Sequence, residues 1–318
     1  MNNKVKLSQT FGIIIVAILL ALATAKVPML GILGLLVSVP YALISILSNT
    51  KNSILSIIVT FLVLMVFVDP IYATNICILN AIPGLVIGSI ARKNLAEDEY
   101  NKFEPIYGGT VIFVVSSIIF FFVMKFVFKT NVLEEFMGII IDNIKMQMDA
   151  MKGTDIDIFN GLRVEDVANY INNMLPTLLF FQGMISAFIT YCVTVFVLRK
   201  TKKSSIQKPK FTDFYLPGNA VATSFVLYLT VLFVEIIGLN LHTELIMVNL
   251  QLVFSFMFMA QGIAVSIFFV KKWMRQGSGK MILLGGLVMC ITGVMGISFV
   301  GMLDSIIDFR RVRSYKST

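Results

Sequence analysis

Charge is what this chain has least of. Of its 318 residues 14% are Asp, Glu, Lys or Arg and 57% are hydrophobic, where ordinary soluble domains carry about a quarter charged residues. A water-soluble fold of this length cannot hide so much apolar surface, so the solvent for most of the chain is lipid. Histidine is nearly missing: His242 stands alone beside Thr243 and Glu244. With no HExxH pattern and no cysteine cluster, no metal site and no cofactor is expected. Cys77, Cys192 and Cys290 all lie inside apolar stretches without partner spacing, and they read as small hydrophobes, neither disulfides nor ligands. GxSxG and Walker A sequences are absent, as is GxGxxG after a strand. The Glu134-Glu135 pair has no Arg or His close by to complete a protease-like site. Catalysis is therefore not expected.

Apolar runs, by contrast, are plentiful. Candidate membrane spans cover 11–25, 27–47, 54–68, 71–91, 106–128, 174–198, 220–239, 245–270 and 281–302, against about 20 residues needed for a crossing helix. Pro28, Pro40, Pro70 and Pro83 interrupt the early ones, which suits short or re-entrant helices shielded by protein. The expected fold is an all-α polytopic transmembrane bundle of eight or nine spans. It forms one membrane domain over 9–309, followed by a basic tail, 310–318.

The net charge of +8 is spread in short runs between apolar stretches, the pattern of cytoplasmic loops and not of a nucleic-acid binder. Arg199, Lys200, Lys202, Lys203, Lys208 and Lys210 make the strongest basic loop, and Lys271, Lys272, Arg275 and Lys280 the second. Counting back puts Lys4, Lys6, Lys51, Arg92 and Lys93 on the same side, with a cytoplasmic N-terminus in a bacterial inner membrane. The first run reads as an uncleaved span, not a signal peptide, because hydrophobic sequence resumes at Val27. The last run is ambiguous. A full crossing would carry Arg310, Arg311, Arg313 and Lys316 to the wrong side, whereas Gly285, Gly286, Gly293, Gly296 and Gly301 would permit a hairpin.

The segment 129–172 faces the opposite, extracytoplasmic side and holds eight acidic and four basic residues. Within it Leu133, Phe136, Met137, Ile140, Ile144, Met148 and Met151 recur at helical spacing. Glu134, Glu135, Asp142, Lys145, Asp149 and Lys152 fall largely opposite them. That predicts an amphipathic interfacial helix, more naturally a connector than a lid.

Polar groups inside spans are the functional clue, since a carboxylate there costs about 2.5–3.5 kcal/mol on insertion scales. Glu235 sits in the run 220–239, Asn249 and Gln251 begin the next, and Asp69 and Asn75 flank Pro70. All five belong to the outer half of the bundle under this topology, and they are the candidate substrate-binding residues. Interhelical hydrogen bonding, worth about 0.6 kcal/mol each, is the competing account for Asn75, Asn80, Gln182, Asn249, Gln251 and Gln261. Glu235 has snorkelling as its alternative, and Asp69 a plain turn role. Ala17, Ala21 and Ala25 recur every four residues and give one helix a face for close approach.

These residues resemble a family. The Ala17–Ala21–Ala25 spacing is followed by Pro28, Gly31, Gly34 and Pro40. The run 79–88 reads Leu-Asn-Ala-Ile-Pro-Gly-Leu-Val-Ile-Gly and ends at Arg92-Lys93, and the chain closes on Gly301, Asp304, Asp308, Arg310 and Arg311. Together they are similar to the YybS-like family of bacterial membrane proteins. That family is itself similar to the S-components of energy-coupling factor transporters and, more distantly, to MreD. The resemblance implies a membrane-embedded protein that binds a small solute from the outer face. It further implies that the face of Ala17, Ala21 and Ala25 docks a transmembrane coupling subunit driven by an ATPase pair. The chain departs from S-components by its extra spans after Leu198 and its long outer segment. The alternative is a non-transporting, MreD-like scaffold of envelope biogenesis. No residue names the solute.

Overall fold

The computed structural model describes residues 7–94, 102–151, 163–201, 209–216, 219–238, 242–275 and 279–312, and among them there are helices and no strand. Lys4, Lys6, Lys152, Lys202, Lys203, Lys208, Arg313 and Lys316 lie outside the described residues. The chain gathers into two compact units, Met1–Lys208 and Pro209–Thr318.

Among the described residues, seven helices are long and apolar enough to cross a membrane: Gln9–Lys26, Met29–Leu47, Thr50–Phe67, Pro70–Asn94, Glu104–Phe126, Leu175–Lys200 and Thr243–Arg275. Two shorter apolar helices, Ala220–Ile236 and Met295–Ile307, accompany them. The protein is an all-α polytopic membrane bundle.

The first unit opens with α1, Leu7–Lys26, and a 3₁₀ segment, Pro28–Leu36. Helices α2, Ser38–Leu47, α3, Thr50–Phe67, and α4, Pro70–Ile76, follow. A π-turn, Cys77–Ala81, leads into α5, Ile82–Asn94, and then α6, Glu104–Phe126. Proline explains several of these boundaries. Pro28 and Pro70 stand at helix starts, where a missing N–H costs nothing. Pro40 is the third residue of α2, still within the turn whose N–H groups have no helical partner. Pro83 has no N–H for the Leu79 carbonyl and its ring crowds that carbonyl. The backbone widens there, and the Ile82 N–H reaches back five residues to the Cys77 carbonyl.

Burial in this unit is inverted relative to a soluble protein. On α3, Ser53, Ser56 and Thr60 are buried, while Ile54, Leu55, Ile58 and Leu62 are exposed. Small hydroxyl residues let helices approach and bond inside, and large apolar side chains face the surrounding lipid. Thr60 accepts the Tyr41 hydroxyl at 3.0 Å. The closest crossing joins α5 to α2. A Cβ on Gly84 would strike the Ser38 carbonyl, and one on Gly88 the Ala42 carbonyl. Both contacts advance by four residues along both chains, so the two helices run parallel.

Helices α7, Val132–Met151, α8, Val164–Asn173, and α9, Leu175–Lys200, complete the unit. Helix α7 is amphipathic over part of the expected face: Met137, Ile140, Ile144 and Met148 are half-buried, Leu133 and Phe136 are exposed, and its charged residues are exposed. At the start of α8, Arg163 donates to both carboxylate oxygens of Asp166 at 3.0 Å. That hydrogen bond holds the Asp166 carboxyl below the usual carboxylate range.

In the second unit a 3₁₀ turn, Phe211–Asp213, precedes α10, Ala220–Ile236, α11, Thr243–Arg275, and α12, Gly279–Ile307. Helix α11 has 33 residues and is about 50 Å long at 1.5 Å per residue. Helix α12 packs against it at two glycines: a Cβ on Gly301 would meet the Phe258 carbonyl, and one on Gly262 the Ile297 carbonyl. Helix α12 bends at Gly293, whose φ of 57° and ψ of −148° are not helical. Beyond α12 the chain turns at Asp308 and Arg311, both at positive φ. Arg310 then donates to the carbonyls of Thr212 and Phe214, each at 2.7 Å. The described chain therefore ends beside the segment that leads into α10.

Candidate functional site

A cleft of about 330 Å³ lies in the first unit, lined by residues of α1, the 3₁₀ segment, α2, α4, the π-turn, α6 and α9. Tyr72, Asn75, Ile76, Leu79 and Asn80 form one side of it at helical spacing. Gly31 and Gly34 of the 3₁₀ segment leave backbone, not side chain, at the wall. Ser38, Gln182 and Ser186 add polar groups, and Phe113 adds an aromatic face. None of the described lining residues is charged.

Several of these groups are held in place. The Tyr72 hydroxyl donates to the Ala21 carbonyl at 2.7 Å and shares a hydrogen bond with Thr24 at 2.8 Å. Ser38 donates to the Asn80 amide oxygen at 3.3 Å. Asn75 is half-buried and Gln182 more exposed, and neither amide has a hydrogen-bond partner among the described residues. An amide offers two donors and an acceptor, so the cleft presents uncommitted hydrogen-bonding capacity without net charge.

The five predicted binding residues fall in both units, Asp69 and Asn75 in the first and Glu235, Asn249 and Gln251 in the second. Asn75 lines the cleft. Asp69 instead caps α4, accepting the Tyr72 N–H at 2.7 Å, so its turn role is the one observed. Glu235 and Gln251 are exposed in the second unit, and Asn249 is buried there, donating to the Leu245 carbonyl at 2.9 Å. Asn80 and Gln182, weighed in the sequence only as interhelical bonders, line the cleft with Asn75.

The alanine face of α1 packs within the first unit. Ala17 and Ala21 are fully buried in a cluster with Val37, Tyr41, Leu64, Ala73, Ile76 and Ala81. Ala25, nearer the end of α1, is half-buried. The close approach that the alanine spacing permits is made by helices of the same unit, so no partner can reach these methyls without opening it.

A second polar cluster escaped the sequence. In the second unit the Asp304 carboxylate accepts Arg310 Nη2 and Gln261 Nε2, each at 2.8 Å, and Arg310 Nε at 3.2 Å, all on Oδ2. The Gln261 carbonyl oxygen accepts the Leu216 N–H at 2.9 Å and the Ser305 hydroxyl at 3.0 Å. The ion pair is fully buried, while Asp304 Oδ1 has no partner among the described residues. Its members come from three distant stretches of chain, and an offset of six between Asp304 and Arg310 matches no helical pairing rule. The available signal was the cost of two charges beside an apolar run.

No group of three or more His, Cys, Asp or Glu able to hold a metal occurs among the described residues. No curated protein and no solved structure matches the chain, so the likeness to S-components and to MreD gains no support from those comparisons. One family profile does match, that of the predicted membrane protein family DUF2232, over residues 14–305. Because that match runs through both units, the chain belongs to the DUF2232 family of predicted membrane proteins.

Proposed function

We propose that this protein binds a small, uncharged, polar solute in the cleft of its first unit and serves in membrane transport, not catalysis. The observation that carries this reading is the pair of uncommitted amides, Asn75 and Gln182, in a lining of hydroxyls and one aromatic ring without charge. A charged ligand would find no counter-ion there, and burying it unpaired would be costly. Carboxylate, imidazole and thiol groups are missing from the described lining, which supports binding over acid–base or nucleophilic chemistry. On Pro70–Asn94 and α9 the cleft is lined from the helix halves away from Arg92, Lys93, Arg199 and Lys200. By the excess of positive charge on cytoplasmic loops, that is the extracytoplasmic side. A coupling subunit with its ATPases would have to bind elsewhere than Ala17 and Ala21.

Native mass spectrometry of the protein extracted in mild detergent tests the reading. A small molecule retained by the native chain and lost from the Asn75→Leu, Gln182→Leu double variant supports it. Equal retention by both, or recovery of the native chain empty and bound to envelope-assembly proteins, overturns it in favour of a scaffold.

A further inference from the structure

The basic end of α9 borders a second cavity. It measures about 320 Å³, and its described lining is Val195, Phe196, Arg199 and Lys200. Val195 is fully buried, whereas Phe196 is 62% exposed, so the cavity runs from packed interior out to the surface of the unit. Helix α9 has 26 residues and is about 39 Å long at 1.5 Å per residue, more than the hydrocarbon core of about 30 Å. Its last two residues therefore lie at headgroup depth, on the side that the basic loops assign to the cytoplasm.

Arg199 and Lys200 are the only charges in the described lining. Other arginines are taken up: Arg92 donates to the Ser48 carbonyl, Arg163 to Asp166 and Arg310 to Asp304. The side chains of Arg199 and Lys200 are exposed and have no hydrogen bond or ion pair among the described residues. A charge that only holds a loop in the cytoplasm needs water around it and no cavity. On the same side of α9 as Phe196, Ile185, Ile189 and Cys192 recur at helical spacing, exposed or half-buried. From Ile185 to Phe196 that apolar strip covers about 16 Å of axis, close to the hydrocarbon depth of one leaflet, half of about 30 Å. Free phosphate would leave the apolar wall and strip unfilled, and a lipid without net charge would leave the two cations unpaired.

We propose that this cavity binds one anionic phospholipid of the cytoplasmic leaflet. Its phosphate pairs with Arg199 and Lys200, and one acyl chain lies along Phe196, Cys192, Ile189 and Ile185. A guanidinium takes two phosphate oxygens at once, and the ammonium adds a point charge beside it. The anionic surface of that leaflet supplies the ligand. The site is independent of the cleft, and its failure would leave the reading of the cleft untouched.

Native mass spectrometry of the full chain in mild detergent tests it, with phosphatidylglycerol and phosphatidylcholine of identical acyl chains as probes. The expected result is a first phosphatidylglycerol bound on the order of tenfold more tightly than the first phosphatidylcholine, as two basic residues at a headgroup allow. The Arg199→Gln, Lys200→Gln double variant should lose that preference. A Lys271→Gln, Lys272→Gln variant, at the basic end of α11, should keep it. Lys200→Gln alone should lose part of it, and stands in if the α9 double variant does not insert. Equal affinity for the two lipids, a preference that survives in the α9 variants, or an equal loss in the α11 variant would overturn the site. Displacement of the lipid by inorganic phosphate would overturn the lipid as its occupant and leave a phosphate site.

Discussion

Arg310 is the residue on which the second unit turns. Its guanidinium closes two backbone carbonyls and one carboxylate around itself, so it ties the segment before α10 to the end of α12. Replacing a whole buried ion pair by apolar residues is often neutral, but removing one partner strands the other charge at a cost of about 3–5 kcal/mol. Arg310→Met alone and Asp304→Asn alone are therefore expected to lower the denaturation midpoint of the detergent-solubilised protein clearly. The double variant should lose less than the sum of the two, as coupled neighbours do. Additive losses would mean that the pair contributes no mutual stabilisation. The alanines of α1 carry a different lesson at this scale. Their spacing correctly marks a close helix approach, but spacing on one helix does not say whether the approaching helix belongs to the same chain.

Among the elements, the π-turn Cys77–Ala81 does most to shape the cleft, since it carries Leu79 and Asn80 and follows directly on Asn75. Its origin is legible in the sequence, because Pro83 must disrupt the bond to the Leu79 carbonyl. Which way the helix relieves that disruption is not legible: a kink, a break and a π-turn all satisfy a missing N–H. Pro83→Ala restores the donor and favours ordinary helical winding. It is expected to leave the melting temperature within a few degrees while shifting Asn80 away from Ser38 and weakening solute retention several-fold. Retention unchanged beside a normal melt would separate the π-turn from the site. The helix α7 and its half-buried stripe from Met137 to Met148 were readable, because period and polarity both show in one contiguous stretch, whereas Leu133 and Phe136 of the expected face are exposed.

At the scale of the molecule, the division at Lys208 and Pro209 predicts that the cleft and its supports form without the last third of the chain. Every described residue that lines the cleft lies between Thr24 and Ser186, and its apolar support, Ala17 to Ala81, does too apart from α1 itself. Expressed as Met1–Lys208, the protein should insert, elute as a single species in detergent and retain the same small molecule as the full chain. Aggregation of that half, with recovery when Pro209–Thr318 is supplied as a second chain, would show that the units depend on one another.

The sequence by itself determined the solvent, the helical class and nearly every apolar helix, because those follow from local composition: a chain so poor in charge must satisfy its backbone within each segment. It also determined where the helices would be interrupted, since proline acts on its own neighbours. Which polar residues meet was decided only by the tertiary structure. Asn75, Gln182 and Ser38 share a cleft though they stand far apart along the chain, and Asp304 and Arg310 share a network with Gln261, more than 40 residues earlier. Glu235 and Asn75 matched in expected depth and parted into separate units. Depth in a membrane can be counted along a chain, residue by residue. Lateral neighbourhood cannot, because it depends on which helix faces accept one another at close range, and here that was set by glycines and hydroxyls whose partners lie on other helices.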